Sequence, residues 1–133
     1  MPDFELSLRE LEGRFAICRL GPEDEIPAWA LGKADFCSIT RTKDELSVVC
    51  REDSVPEDIR CERGWRVLQV EGPLDFALTG ILASIATPLA DAGVSIFAMS
   101  TFDTDHILVK ETNLEKATHA LQSASHRVRR CGN

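Results

Sequence analysis

The sequence predicts an α+β protein whose C-terminal half has the element order β-α-β-β-α-β. The short run at residues 67–70, with a β-branched valine at each end, is typical of a strand and stops at Gly72 and Pro73. Apolar residues at steps of three and four then predict a helix with one buried face. Two further apolar runs flank a polar turn at residues 101–105, which indicates a β-hairpin.

The first helix is defined by an apolar stripe and by its stop signal. The stripe comprises Leu78, Ile81, Leu82, Ile85, Leu89 and Ala92. Gly93 stands where a left-handed residue would end the helix. Pro88 conflicts with the pattern, because a proline inside a helix removes one backbone hydrogen bond and crowds the carbonyl four residues earlier. We expect the stripe to prevail, with a kink near Ser84.

A second helix and a last short strand complete the order. Thr112 and Glu115 have the spacing of a capping box, in which each side chain bonds to the backbone N–H group of the other residue. The predicted inner face comprises Leu114, Ala117, Leu121 and Ala124, with Lys116, His119 and Gln122 outward or at the margin. With a strand at residues 127–129, this is the split βαβ arrangement of ferredoxin-like domains. It predicts one antiparallel sheet with both helices on one face.

The N-terminal half resembles a shortened copy of the same pattern. An alternating segment near Leu6 and Leu8 predicts an edge strand or a lid, and residues 15–20 predict a strand that ends at Gly21. The Gly-Pro pair recurs at an offset of 51 residues and the following hairpin at an offset of 61, so the first helix of this half is shortened by about three turns. Two units in tandem are therefore predicted, residues 1–62 and residues 63–133, without a flexible linker.

Two segments carry a family resemblance. The run from Gly80 to Ala83, followed by the run from Ala92 to Ile96, resembles the signature of the ACT domain. Residues 71–76 and 100–111 resemble a narrower branch of small tandem ACT proteins, which are related to the regulatory ends of aspartate kinases. The resemblance implies the ferredoxin-like ACT fold and a non-catalytic regulatory or sensor module that binds a free amino acid.

Composition and charge exclude several classes of function. The formal net charge is −7, and no nucleic-acid-binding motif is present, so we expect no nucleic-acid partner. No apolar run approaches the ~18–20 residues that span a bilayer, and the N-terminus does not resemble a signal peptide. The five cysteines are odd in number and form no Cys-x-x-Cys pair, and Cys18, Cys37 and Cys50 lie in apolar runs typical of buried, reduced thiols. We therefore expect a cytoplasmic protein.

The predicted ligand site lies at the strand-to-helix turn. A helix N-terminus attracts carboxylates, and glycines let a ligand approach the backbone. The resemblance places the amino acid of ligand-binding ACT domains at this same turn. Asp103 and Asp105, in the hairpin turn, suit an α-ammonium group or a basic side chain. The predicted ligand-binding residues are Gly72, Leu74, Asp75, Phe76, Leu78, Thr79, Gly80, Ile81, Thr101, Asp103, Thr104 and Asp105.

Other interpretations of these residues remain open. Asp75 would cap the helix and fill the site itself, and Asp and Thr are common in turns that bind nothing. One alternative function is a structural dimerisation domain with a vestigial pocket, and self-association as a homodimer is expected under both. A metal-dependent or acid–base enzyme using Asp103, Asp105 and His106 is disfavoured, because alternation puts residues 105 and 106 on opposite faces of a strand. No cofactor, metal or catalytic residue is predicted.

Overall fold

The computed structural model describes residues 5–74 and 79–131, which divide into two compact units. The flanking unit is formed within Met1–Glu12 and Arg66–Asn133, and the inserted unit is Gly13–Trp65. The strands and helices are β1 (Ser7–Glu10), β2 (Phe15–Leu20), β3 (Ser38–Arg41), β4 (Leu46–Arg51), β5 (Cys61–Val70), α1 (Ile81–Asp91), β6 (Ile96–Ser100), β7 (Asp105–Lys110), α2 (Leu114–Ser123) and β8 (Arg127–Arg129). No helix within these residues is long and apolar enough to cross a membrane.

The strands of the flanking unit pair in the order β6-β7-β5-β1-β8. The N-terminal segment was predicted as an edge strand or a lid, and that prediction is wrong. Strand β1 lies inside the sheet, where Leu8 pairs with Val70 of β5 and with Val128 of β8. The β1–β8 pairing is parallel, so the expectation of a purely antiparallel sheet is also wrong. The alternating apolar pattern identified β1 as a strand. Such a pattern does not show which other strands pair with it.

The core of the flanking unit lies between its two helices and the sheet. Burying these apolar side chains is the main stabilising contribution, at roughly 25 cal/mol per Å² of apolar surface. The buried cluster comprises Leu8, Leu68, Val70, Ile85, Leu89, Val94, Ile107, Val109, Leu114, Ala117 and Leu121. The predicted inner face of α2 is confirmed at Leu114, Ala117 and Leu121, whereas Ala124 is only partly buried.

The start of α2 differs from the prediction. No side-chain capping bond is present at its N-cap, which is Asn113. Residues Glu111–Asn113 form a short 3-10 turn that leads directly into the helix, so Thr112 lies within that turn and not at the cap position. The predicted capping box is therefore absent.

Helix α1 continues through Pro88, as the apolar stripe predicted. A proline has no N–H group, so the carbonyl of Ser84 loses its helical donor. The imidazole Nε2 of buried His126 lies 2.9 Å from that carbonyl oxygen and donates to it. The other ring nitrogen of His126, Nδ1, accepts from the backbone N–H group of Leu6 at 3.1 Å. One histidine thus compensates for the proline and ties α1 to the segment before β1.

Both helices end in the same turn. At the end of α1, the N–H group of Gly93 donates to the carbonyl of Ala90, and that of Val94 donates to the carbonyl of Leu89. Gly93 has a φ of 76°, as predicted for a left-handed helix stop. At the end of α2 the left-handed residue is Ser125, also with a φ of 76°.

The strands of the inserted unit pair in the order β3-β4-β2-β5, with residues 61–65 of β5 belonging to this unit. The predicted hairpin is present as the antiparallel pair β3–β4. Buried residues include Ala16, Cys18, Leu46, Val48 and Cys50. Cys37 was expected to be buried, but it is exposed and precedes β3. Strand β5 runs through the predicted junction, and both the boundary after residue 62 and the tandem arrangement stay predictions.

Candidate functional site

A cavity of about 260 Å³ lies in the flanking unit, at the N-terminal end of α1. The turn between β6 and β7 forms its other wall. Sites for small molecules usually have roughly 300–1,000 Å³, so this cavity suits a ligand as small as one amino acid. Its lining residues are Leu74, Gly80, Ile81, Leu82, Ser100, Thr101, Phe102, Asp103, Thr104 and Asp105.

The first turn of α1 supplies the electropositive side of the cavity. Gly80 is the N-cap residue, it adopts the left-handed conformation with a φ of 83°, and as a glycine it has no side chain with which to cap the helix. The N–H groups of the first helical turn have no acceptor within the helix, and the helix dipole adds partial positive charge. Because Gly80 and Ile81 both line the cavity, an anionic group in it would meet these donors.

The turn between β6 and β7 is held in place by hydrogen bonds. The N–H group of Thr101 donates to the carbonyl of Thr104 at 2.8 Å, and the hydroxyl of Thr101 donates to the same carbonyl at 3.0 Å. The buried hydroxyl of Thr104 donates to the carbonyl of Val70 at 2.7 Å, which fixes the turn against the end of β5. The two threonines therefore have structural bonds as well as a position at the cavity.

The approach to α1 is also attached to this turn. The N–H group of Leu74 donates to the carbonyl of Asp103 at 2.7 Å. A Cβ atom on Gly72 would lie 3.1 Å from that same carbonyl oxygen and 3.2 Å from Cβ of Thr104. Glycine at position 72 thus permits the backbone to pass close to the turn, and it acts here by its small size.

The charged side chains that line the cavity, among the described residues, are the carboxylates of Asp103 and Asp105. Asp105 is partly buried, and its Oδ1 atom accepts a 2.5 Å hydrogen bond from the hydroxyl of Ser100, its cross-strand neighbour. This bond orients the carboxylate at the cavity. The cavity thus combines backbone N–H donors on one side with acidic side chains on the other.

His106 lies apart from the cavity, although it is adjacent to Asp105 in sequence. Its Nε2 atom is 3.1 Å from the side-chain nitrogen of Gln69, and only 4% of the residue is exposed. Burial lowers the pKa of His106, while the charge of Asp105 opposes that change. Within the described residues, no group of three or more His, Cys, Asp or Glu side chains is arranged to hold a metal ion.

The structure brings most of the predicted site residues together. Leu74, Gly80, Ile81, Thr101, Asp103, Thr104 and Asp105 line the cavity, and Gly72 packs against its turn. Thr79 is exposed and is not among the lining residues. Asp75, Phe76 and Leu78 lie outside the described residues. Their assignment to a ligand site, like that of the others, stays a prediction.

Three lining residues were missed from the sequence. Leu82 belongs to the apolar stripe but is 37% exposed, because it occupies the first turn of α1, next to the cavity. Phe102 is 79% exposed at the tip of the turn, and no sequence signal distinguishes such a residue from a buried aromatic one. Ser100 was predictable, since the hairpin register places it opposite Asp105.

Family models match most of the chain. The model of the ACT domain matches residues 60–123, and a second model, described as an N-terminal domain, matches residues 13–58. The human cytosolic arginine sensor for mTORC1, subunit 1, is 44% identical over 59 residues. That match covers 44% of this chain but only 18% of the human protein, so the chain spans a small part of that relative.

Solved structures support the same fold. A protein from Agrobacterium tumefaciens, determined by X-ray crystallography, is 42% identical with a TM-score of 0.91, over 98% of this chain and 96% of that one. The ligand-free regulatory subunit of aspartate kinase from Thermus thermophilus is 12% identical with a TM-score of 0.58, over 92% of this chain and 99% of that one. At 12% identity the second comparison bears on the fold alone. Together with the family match, these similarities establish an α+β, ferredoxin-like ACT fold, and residues 60–123 of the chain form an ACT domain.

Proposed function

We propose that this chain binds a free amino acid in the cavity at the N-terminus of α1 and acts as a non-catalytic regulatory or sensor module. The observation that carries the proposal is that the helix N-terminus at Gly80 and the acidic residues Asp103 and Asp105 line the same cavity. An amino acid has a carboxylate and an ammonium group a short distance apart. The two walls of the cavity complement these two charges.

The carboxylate of the ligand would accept from the N–H groups of the first turn of α1. A charge at a helix N-terminus is stabilised by about 0.3–1 kcal/mol at exposed positions, and by up to ~2 kcal/mol where it is partly buried. The ammonium group would lie near Asp105, with Asp103 adding negative charge. A second cationic group on the ligand would also be favoured, so basic amino acids, with arginine first, are the leading candidates. The human relative named as an arginine sensor supports testing arginine first.

Regulation without catalysis agrees with the side chains present. The one histidine beside the cavity in sequence, His106, is buried against Gln69 and does not line the cavity. One relative that matches part of this chain is a sensor described as cytosolic. We accordingly propose a cytoplasmic sensor whose output passes to another protein.

A thermal-shift screen with the twenty amino acids tests the proposal. A ligand that binds only the folded state, present at a hundredfold excess over its dissociation constant, stabilises that state by about 2.7 kcal/mol. We expect at least one amino acid, arginine before the others, to raise the melting temperature. If none does so at millimolar concentration, the binding proposal fails, and a structural domain with a vestigial pocket takes its place.

Asp105→Asn then tests the site itself. The substitution keeps the size of the side chain and an acceptor for Ser100 but removes the charge, so it should weaken the ligand-induced shift and change the unliganded melting temperature little. Asp44→Asn is the matched control, because Asp44 is an exposed aspartate at the equivalent position of the predicted repeat. An unchanged ligand response in Asp105→Asn would show that binding occurs elsewhere.

A further inference from the structure

Three cysteines of the inserted unit lie together on one face of its sheet. They are Cys18 in β2, Cys50 in β4 and Cys61 at the start of β5. The thiol of Cys18 has both of the other thiols as neighbours, and together with burial they raise its pKa. Cys18 and Cys50 are buried, whereas Cys61 is partly exposed, and all three are free thiols. This cluster belongs to the inserted unit and takes no part in the proposed amino-acid site, which lies in the flanking unit.

The register of the sheet makes one pair suitable for a covalent bond. Cys18 and Cys61 are directly opposite each other in the antiparallel pair β2–β5. The N–H group of Arg19 donates to the carbonyl of Arg60 at 3.0 Å, so the ladder bonds flank the two cysteines, and they form a non-hydrogen-bonded pair. The Cα atoms of such pairs are about 4.5 Å apart, within the roughly 4.4–6.8 Å that a disulfide needs.

The position of Cys50 differs from that of Cys61. In the β2–β4 pair, Cys18 is opposite Val48, and Cys50 is opposite Ala16, so Cys18 and Cys50 are diagonal neighbours. Diagonal neighbours in a sheet are about 7–8 Å apart, beyond the reach of an unstrained disulfide. Cys50 is therefore suited to accept a hydrogen bond from Cys18 and not to cross-link with it.

We propose that Cys18 and Cys61 form a reversible disulfide when the protein meets a peroxide, with Cys61 as the thiol that reacts first. Cys61 is the member of the cluster that solvent reaches. Its thiolate attacks one oxygen of hydrogen peroxide, so an S–O bond forms, the O–O bond breaks, and the released hydroxide takes up a proton to leave as water. The product at Cys61 is a sulfenic acid.

The second step uses the other two thiols. The sulfur of Cys18 attacks the sulfur of the sulfenic acid, an S–S bond forms, and the S–O bond breaks. Cys50 accepts the proton of Cys18 and passes it to the departing hydroxyl group, so a second water leaves. In the resting protein, the hydrogen bond between the two thiols raises the pKa of Cys18 and lowers the pKa of Cys50, so the proton rests on Cys18 and moves to Cys50 only as the S–S bond forms. In total, two thiols are oxidised and one peroxide is reduced to two waters.

Peptide mapping of the full chain tests the proposal. The reduced protein is treated with one equivalent of hydrogen peroxide, the reaction is stopped with catalase, and remaining thiols are alkylated under denaturing conditions. We expect a peptide pair that links Cys18 to Cys61, a fall from five free thiols to three per chain, and full reversal by dithiothreitol. Cys61→Ser should abolish the link, and Cys131→Ser, which alters a thiol outside the cluster, should retain it.

Peptide mapping of the protein without substitutions tests the disulfide proposal even if a variant folds poorly. A link between Cys18 and Cys50, a sulfinic acid at Cys61 beside a reduced Cys18, or five thiols that stay reduced would each overturn the proposal. Oxidation confined to the exposed Cys37 or to Cys131 would overturn it as well.

Discussion

Gln69 joins two side chains in the flanking unit, Arg9 and His106. The guanidinium of Arg9 donates to the Oε1 atom of Gln69 at 2.9 Å, so the amide nitrogen of Gln69 is the group that faces His106. That nitrogen can only donate, which makes Nε2 of His106 the acceptor and fixes the neutral ring with its proton on Nδ1. If His106 were protonated, the N–H group at its Nε2 atom would face an N–H group of Gln69 within a buried site, and neither group could accept.

This arrangement predicts a loss of stability in mild acid. The pKa of His106 lies below its ordinary value of 6.5 in the folded protein, because burial disfavours the charged ring. Above pH 6.5 the ring is neutral in both states, and its contribution to stability is complete. As the pH falls from 6.5 towards the folded pKa, the unfolded state binds more protons, and the free energy of unfolding falls by at most about 1.4 kcal/mol per pH unit. Urea unfolding measured across this range should show the slope.

His106→Gln is the variant that isolates this residue. A glutamine at position 106 does not titrate and can still accept from Gln69. We expect the variant to lose part of the acid dependence of the parent. An identical pH profile in parent and variant would contradict the assignment of a depressed pKa to His106.

At the scale of elements, the two helices end alike but with different residues. The end of α2 repeats the two bonds seen at Gly93, since the N–H group of Ser125 donates to Gln122 and that of His126 donates to Leu121. A left-handed conformation costs a residue with a Cβ atom roughly 1–2 kcal/mol, whereas glycine adopts it freely. The serine therefore carries a local strain that the glycine does not.

Ser125→Gly should consequently stabilise the protein. The gain is expected to be about 0.5–1 kcal/mol, because the greater entropy of glycine in the unfolded chain offsets part of the relieved strain. Gly93→Ala is the reciprocal test and should destabilise, since open space surrounds position 93 and only its backbone conformation is at issue. Denaturant unfolding of both variants measures the effect. A more stable Gly93→Ala, or a destabilised Ser125→Gly, would refute this explanation of the helix ends.

Sequence patterns predicted which helices and strands form. They predicted less well where α2 begins and which side chain replaces the hydrogen bond lost at Pro88. The stripe of α1 and the glycine stop were sufficient to place that helix, because both are local signals. The same signals gave no warning that His126 would donate to the carbonyl freed by Pro88, since that bond joins residues 42 positions apart. The capping box at Thr112 failed because a 3-10 turn, which the sequence does not distinguish from a cap, precedes α2.

At the scale of the whole molecule, neighbour relations among strands were the least predictable feature. Strand β1 lies between β5 and β8, and its pairing depends on contacts more than 100 residues apart in sequence, such as Leu8 with Val128. The candidate site was more accessible to prediction, because the helix N-terminus and the hairpin turn are each local. The hydrogen bond that joins these two segments, from the N–H group of Leu74 to the carbonyl of Asp103, could not be predicted from the sequence.

We also expect the protein to form a homodimer. Among the described residues, β6 pairs with β7 alone, so one edge of β6 is available for a second copy of the chain. Unpaired strand edges favour such association. Light scattering at micromolar concentration should give a mass of twice 14.7 kDa. A mass of 14.7 kDa throughout the concentration range would refute the dimer without affecting the ligand proposal.

The proposed amino-acid site lies between the first turn of α1 and the β6–β7 turn. Backbone amide chemical shifts, followed by NMR while the amino acid that raises the melting temperature is added, test it most directly. The largest changes should occur at Gly80, Ile81 and Leu82, whose N–H groups would meet the ligand carboxylate, and at Asp105. Saturating changes confined to the inserted unit, or none at Gly80 and its neighbours, would contradict the account.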